Sequence, residues 1–103
     1  MVAELNFEED EAYELYAGCP TLSFRIEDRE ESVPYSSFNK GLYELGEIRL
    51  KFDKGSLVIR GKNLRDLWRH LQLQDVRFVK CNDADPSQDV LISSIAWFSA
   101  KAS

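Results

Sequence analysis

Apolar and charged residues alternate along Glu47–Phe52, and the alternation returns over residues 56–60. Such a period of two puts the apolar side chains on one face of a β-strand and the charged side chains on the other. Between the two runs, residues 53–55 have the composition of a three-residue hairpin loop, because Gly55 accepts the positive φ on which such a loop ends. The pattern predicts a β-hairpin with one face turned to a core and the other to solvent.

A helix is predicted from residue 63 to about residue 73. Four apolar side chains recur there at the i, i+3, i+4, i+7 spacing of one helical stripe: Leu64, Leu67, Trp68 and Leu71. Asn63 is a candidate N-cap, and Asp66 follows it by three residues as in a capping box. The stripe is expected to dominate the stability of this unit, since burying one such side chain contributes roughly 1.5–3 kcal/mol. Alternation then resumes and predicts a strand over residues 76–80.

The pattern before this unit is less regular. Residues 21–27 alternate and predict a strand, residues 28–32 a polar turn, and residues 33–35 a short extended piece. Residues 36–46 mix small polar residues and glycine with aromatic residues, which indicates an irregular loop. At the N-terminus, Asn6 and the acids after it predict a short helix; an acidic arm over residues 1–17 is the alternative.

The segment from Val90 to Phe98 is rich in β-branched and aromatic residues and is apolar on both faces. These propensities predict a strand. Two arrangements explain the two apolar faces: a central strand covered on both sides, or an edge strand whose second face is covered by another subunit. Residues 101–103 are expected to be loose.

Together these elements predict an α+β protein that forms a single small globular domain over residues 1–103. We expect a mainly antiparallel sheet of four to five strands, in the order β-β-β-α-β-β, with the amphipathic helix packed on one face. A chain of 103 residues has room for one core, and no repeat or linker divides it.

Composition narrows the functional classes. Hydrophobic residues make up 44% of the chain and charged residues 30%, and no apolar run approaches the roughly 20 residues of a membrane helix. Without a signal-like start, the expectation is a cytoplasmic protein that does not bind membranes. Cys19 and Cys81 are expected to be free thiols there, with a disulfide as the alternative. Because His70 is the only histidine and no ligand residues show paired spacing, we expect no metal and no cofactor.

Charge is unevenly distributed along the chain. The net charge of −5 disfavours simple nucleic-acid binding, yet residues 1–47 carry −9 and residues 48–80 carry +6. Hairpin pairing brings Arg49 near Arg60, where like charges repel unless an acid or an anion lies between them. The negative charge comes either from the acidic half of the chain or from an external phosphate, nucleic acid or acidic protein. The candidate binding residues of the basic region are Arg49, Lys51, Arg60, Lys62, Arg65 and Arg69.

Aromatic residues form a second candidate site. Tyr35, Phe38 and Tyr43 either anchor their segment to the core or line a groove or interface, where aromatic residues are enriched. Nucleophilic catalysis requires a serine or cysteine held by a base, and His70 lies on the predicted helix outside any such motif. Glycine-rich nucleotide-binding motifs do not occur either. We therefore expect the protein not to be an enzyme.

Two functional hypotheses follow. The first is a non-enzymatic protein-interaction or self-association module, for example a homodimer, that uses Val90 to Phe98 together with the aromatic residues. The second is a nucleic-acid or anion-binding domain that uses the basic region of residues 48–80. Neither the partner nor the biological process is encoded in a motif of the sequence.

Overall fold

The computed structural model describes residues 12–83 and 89–100. Within these ranges the chain is mostly β-sheet with one helix, so the α+β class predicted from the sequence is confirmed. The helix α1 spans Arg65–Gln72, and a 3-10 turn spans Tyr35–Ser37. The strands are β1 (Tyr13–Leu15), β2 (Thr21–Ile26), β3 (Arg29–Pro34), β4 (Phe38–Glu44), β5 (Glu47–Phe52), β6 (Gly55–Lys62), β7 (Val76–Val79) and β8 (Leu91–Ser99).

The strands form two sheets rather than the single sheet expected. The first sheet has the order β1-β7-β2-β3 and the second has the order β4-β5-β6-β8. Neighbouring strands are antiparallel, except that β2 and β7 are parallel. Eight strands are described instead of four to five, and six of them precede the helix. The expected count is too low because β1 and β4 lie in segments whose patterns favour a helix and a loop.

The segment predicted as an irregular loop is mostly strand β4. Asn39 is an extra residue in this strand, inserted where the register shifts between Phe38 and Lys40, and such a bulge interrupts the alternation. Gly41 obscures the alternation further, because it has no side chain at an inward-facing position. A Cβ at Gly41 would lie 2.9 Å from the indole ring of Trp68, so the glycine makes room for the helix against the second sheet.

The predicted N-terminal helix is wrong where it overlaps the described residues. Tyr13–Leu15 is strand β1, which pairs antiparallel with β7. The remainder of the prediction, up to residue 11, lies outside the described ranges. Acids in a first turn favour a helix only weakly when few apolar positions support it. Pairing with β7 supplies backbone hydrogen bonds to a segment that has little helical packing to offer.

Three local predictions need correction. Phe52 pairs with Gly55, so the β5–β6 loop has two residues instead of three. Strand β3 begins earlier than expected, because Glu27 adopts a positive φ of 55° and turns the chain directly after β2. Asn63 does not cap the helix. It has a φ of 58°, and its side-chain amide donates to the carbonyl oxygen of Asp89 at 2.7 Å.

One core fills the space between the inner faces of the two sheets and the helix. Trp68 is half-buried and stacks on Tyr43 at a ring-centroid distance of 5.7 Å. Trp97 of β8 stacks on Phe24 of β2, also at 5.7 Å, and so ties the second sheet to the first. The predicted helical stripe is confirmed, because its three leucines are buried: Leu64, Leu67 and Leu71.

Strand β8 lies at an edge of the second sheet, so it is not the central strand of the first expected arrangement. That another subunit covers its second face stays a prediction. Asn82 covers the start of its free edge. The Asn82 side-chain amide donates to the carbonyl oxygen of Val90 at 2.8 Å, and its side-chain oxygen accepts from the backbone N–H of Ile92 at 2.7 Å. No strand in the described ranges pairs with this edge of β8.

Candidate interaction surface

The second sheet turns one face to the core and the other to solvent, and we call the solvent side the outer sheet face. The strand register places its side chains in three rows that cross β4, β5, β6 and β8. The lysine row is Lys40, Lys51, Ser56 and Phe98; the middle row is Leu42, Arg49, Val58 and Ala96; the glutamate row is Glu44, Glu47, Arg60 and Ser94. The outer sheet face therefore carries charged and apolar side chains next to one another on four neighbouring strands.

An open cavity of about 450 Å³ lies on this face. Val58 is buried there, whereas Leu42 is 44% exposed and Phe98 is 60% exposed. The cavity combines an apolar lining with a cationic rim. Its apolar and cationic side chains are Leu42, Val58, Phe98, Lys40, Lys51, Arg49 and Arg60.

Glu47 forms ion pairs with the two arginines of the outer sheet face. Its Oε1 accepts a hydrogen bond from Nε of Arg60 at 2.9 Å, and its Oε2 accepts one from Nε of Arg49. These hydrogen bonds, with the charges of the two guanidinium groups, hold the pKa of the Glu47 carboxyl below its ordinary value and raise the pKa of Arg49. An acid of the chain itself therefore lies between Arg49 and Arg60.

Lowering the pH is expected to break the contacts of Glu47 with Arg49 and Arg60. A carboxyl with a lowered folded-state pKa stabilises the fold above its unfolded pKa, and the contribution is lost as pH falls through the folded pKa. We expect the NMR titration of the Glu47 carboxyl carbon to have its midpoint below that of glutamate in an unstructured peptide. Arg49→Gln should raise the midpoint. Arg69→Gln, which removes an arginine from the helix, should leave it unchanged; an equal response to both variants would contradict the pairing.

Lys40 and Lys51 have a different environment from the arginines. The two residues lie directly opposite one another on β4 and β5. Like charges in such cross-strand positions are unfavourable. None of the ion pairs within residues 12–83 and 89–100 includes either lysine. The lysine row therefore carries positive charge that no described acid balances.

The other predicted basic residues lie elsewhere. Lys62 and Arg65 line a second open cavity of about 650 Å³, which also borders the β4–β5 turn. Arg69 lies on the exposed side of α1, where it pairs with Asp66 at 3.4 Å. Because α1 packs on the core side of the second sheet, Arg65 and Arg69 do not share a surface with the cations of the outer sheet face. Lys62 is the last residue of β6, two positions after Arg60.

The predicted aromatic residues lie on the core side of the molecule. Tyr35 is buried, and its hydroxyl donates to the carbonyl oxygen of Val76 at 2.6 Å; burial raises the pKa of this phenol. Phe38 packs on Phe52 at a ring-centroid distance of 5.5 Å. Tyr43 stacks on the indole of the helix and also lines the second cavity. All three side chains make contacts that anchor their segment to the core.

Sequence reasoning does not find Lys40 and Leu42, because their segment reads as a loop. A weak signal exists: Lys40, Leu42 and Glu44 alternate with the inward-facing Gly41 and Tyr43. The sequence indicates the exposed apolar position of Phe98 more clearly, because the strand that contains it is apolar on both faces. What the sequence does not show is that these residues surround one cavity.

His70, Cys19 and Cys81 are the histidine and cysteine residues of the chain. Within them, no group of three or more histidine, cysteine, aspartate or glutamate side chains is placed to hold a metal ion. The imidazole of His70 contacts Asp75 at 3.2 Å. Cys19 and Cys81 are free thiols. Partial burial and the charge of Asp83 raise the pKa of the Cys81 thiol, which disfavours a reactive thiolate.

No protein family, curated protein or solved structure matches the chain. In the described part of the chain, α1 has eight residues, and no helix has the length and apolar character needed to cross a bilayer. The outer sheet face is therefore the basis on which a function can be assigned.

Proposed function

We propose that the protein is a non-enzymatic interaction module that binds a protein partner through the outer sheet face. The observation that carries this proposal is the exposure of Phe98 and Leu42 at one cavity. Apolar side chains grouped on an open surface are typical of docking sites. Removing such apolar area from water favours association.

The composition of β8 supports the same surface. Its inward-facing Ile92, Ile95 and Trp97 belong to the core or pack against it. Its outward-facing Ala96 and Phe98 are apolar as well. A strand with only solvent on its outer side usually carries polar residues there. A contact with a second copy of the chain or with another protein accounts for these two residues.

Phe98→Ser tests the proposal. Because Phe98 is 60% exposed, we expect the free energy of unfolding to change by less than about 0.5 kcal/mol. Association should suffer much more, since loss of an aromatic anchor typically costs about 2 kcal/mol or more, or roughly thirtyfold in affinity. Sedimentation equilibrium measures self-association over a range of concentrations. Fluorescence anisotropy measures binding of peptides selected against the chain from a displayed random library.

Leu45→Ser is the matched control, because Leu45 is 99% exposed and lies at the β4–β5 turn, where it lines the second cavity and not the cavity beside Phe98. It should leave both kinds of association unchanged. A wild-type chain that stays monomeric and binds no selected peptide more tightly than the Phe98→Ser chain would show that the proposal is wrong.

A nucleic-acid or anion-binding domain has less support. Of the six basic residues considered for it, three line the first cavity and two line the second, and Glu47 engages two of them. Binding to a phosphate backbone depends on several cations along one surface. On the outer sheet face, Glu44 and Glu47 interrupt such a track.

A further inference from the structure

We infer that the outer sheet face binds an acidic segment of a partner protein in which a carboxylate and an apolar side chain are two residues apart. The carboxylate lies between Lys40 and Lys51. The apolar side chain lies in the cavity beside Leu42 and Val58. This inference rests on the proposed function, because it names the chemistry of the partner.

The lysine row supplies the first argument. Glu47 contacts both Arg49 and Arg60, but no described acid contacts Lys40 or Lys51. A carboxylate between two opposed ammonium groups removes their repulsion and accepts a charge-assisted hydrogen bond from each. An acidic side chain of the partner at the lysine row therefore balances the positive charge that the described acids of this chain leave there.

The spacing of the rows supplies the second argument. Residues i and i+2 of a strand point to the same side and are about 6.7 Å apart, so the lysine row and the middle row are separated by that distance. An extended ligand that runs along the strands repeats this spacing. A carboxylate at the lysine row then sets the side chain two residues away over the middle row at Leu42 and Arg49, next to Val58 on the neighbouring strand. The expected motif is an acid, any residue and an apolar residue, in either chain direction.

Charge argues against a second copy as the occupant. Four cations and two acids lie on the outer sheet face: Lys40, Lys51, Arg49, Arg60, Glu44 and Glu47. These charges sum to +2. Two copies packed face to face would bring a charge of +2 from each copy within about 8 Å, the screening length in physiological salt, so the two faces would repel one another. A short acidic segment that stops before the glutamate row meets only the cationic end.

Peptide selection against the full chain tests the motif. A random peptide library displayed on phage is selected on the immobilised protein, and enriched sequences are synthesised with a fluorescent label. We expect enrichment of an acid two residues from an apolar side chain. Binding measured by anisotropy should weaken by at least about tenfold with Lys40→Gln/Lys51→Gln, because each lysine donates a charge-assisted hydrogen bond.

Two control variants separate position from net charge. Lys62→Gln/Arg65→Gln removes the same charge from residues that line the second cavity, so it should leave the affinity unchanged. Lys40→Arg/Lys51→Arg keeps the charge on the lysine row and should retain binding. Circular dichroism and thermal unfolding establish that each variant is folded.

The outcomes distinguish this inference from the proposed function. Enriched peptides that lack acids but still require Phe98 would overturn the inference and leave the interaction module intact. Acidic peptides that bind the lysine variant as tightly as the wild type would overturn it as well. Equal recovery of peptides on wild-type and Phe98→Ser chains, together with a wild-type chain that stays monomeric, would overturn both.

Discussion

Replacing Gly61 with alanine is expected to lower the free energy of unfolding by at least about 3 kcal/mol. A Cβ at Gly61 would lie 1.8 Å from the carbonyl oxygen of Leu91 and 2.9 Å from Cα of Ile92, both on β8. These are backbone atoms, so no rotation of a side chain relieves the clash. Strand β8 has to move away from β6. Urea unfolding followed by tryptophan fluorescence measures the loss, since Trp97 lies on β8.

Gly18→Ala is the control for this variant. Gly18 has a positive φ of 74°, but no described atom lies within 4 Å of an added Cβ. Only the strain of a left-handed alanine is expected there, about 1–2 kcal/mol. Equal losses for the two variants would mean that β6 and β8 are not as closely apposed at Gly61 as the structure indicates.

The second large effect is expected for Leu67→Ala, which should cost about 2–5 kcal/mol. Leu67 is 0% exposed and lies in the middle of the helical stripe. Truncation removes apolar contacts with the core and leaves a cavity that the surrounding side chains only partly fill. Alanine is a strong helix former, so the loss reports packing and not helix propensity. Urea unfolding again gives the magnitude.

Leu73→Ala is the same exchange on an exposed side of the chain. Leu73 directly follows α1 and is 68% exposed, so the expected change in the free energy of unfolding is within about 0.5 kcal/mol. A loss at Leu73 as large as that at Leu67 would show that the stripe is not the packed face of the helix.

Periodicity predicts the middle of the chain well. Strand β5 has the predicted bounds, because its alternation is unbroken over Glu47–Phe52. The helix is found slightly inside its predicted limits. Its three buried leucines occupy positions that only a helix turned toward the sheet brings together. In both elements the residues that define the local pattern are also the residues that pack in the core.

Strands β1 and β4 could not be predicted in this way. Strand β1 is three residues long and pairs with a strand more than 60 positions later, so its stabilising contacts have no local trace in the sequence. Strand β4 contains a bulge at Asn39 and a glycine whose missing side chain accommodates Trp68. Tertiary contacts override local pattern in both cases.

The outer sheet face was partly predictable, because part of it follows from the register of one hairpin. Hairpin register brings Arg49 near Arg60, and the sequence therefore anticipates an acid or anion between them, a place that Glu47 takes. The cavity depends on Leu42 and Phe98, which lie on the two edge strands of the sheet. Their proximity follows from the order of the strands, which the sequence does not state.

The position of β7 constrains the order in which the chain can fold during synthesis. Strands β2 and β3, and strands β4, β5 and β6, are neighbours in sequence and can pair soon after they leave the ribosome. Strand β1 pairs with β7 alone among the described strands. Strand β1 therefore waits for β7, and the first sheet, as far as it is described, is completed only when β7 inserts between β1 and β2, which emerged long before it.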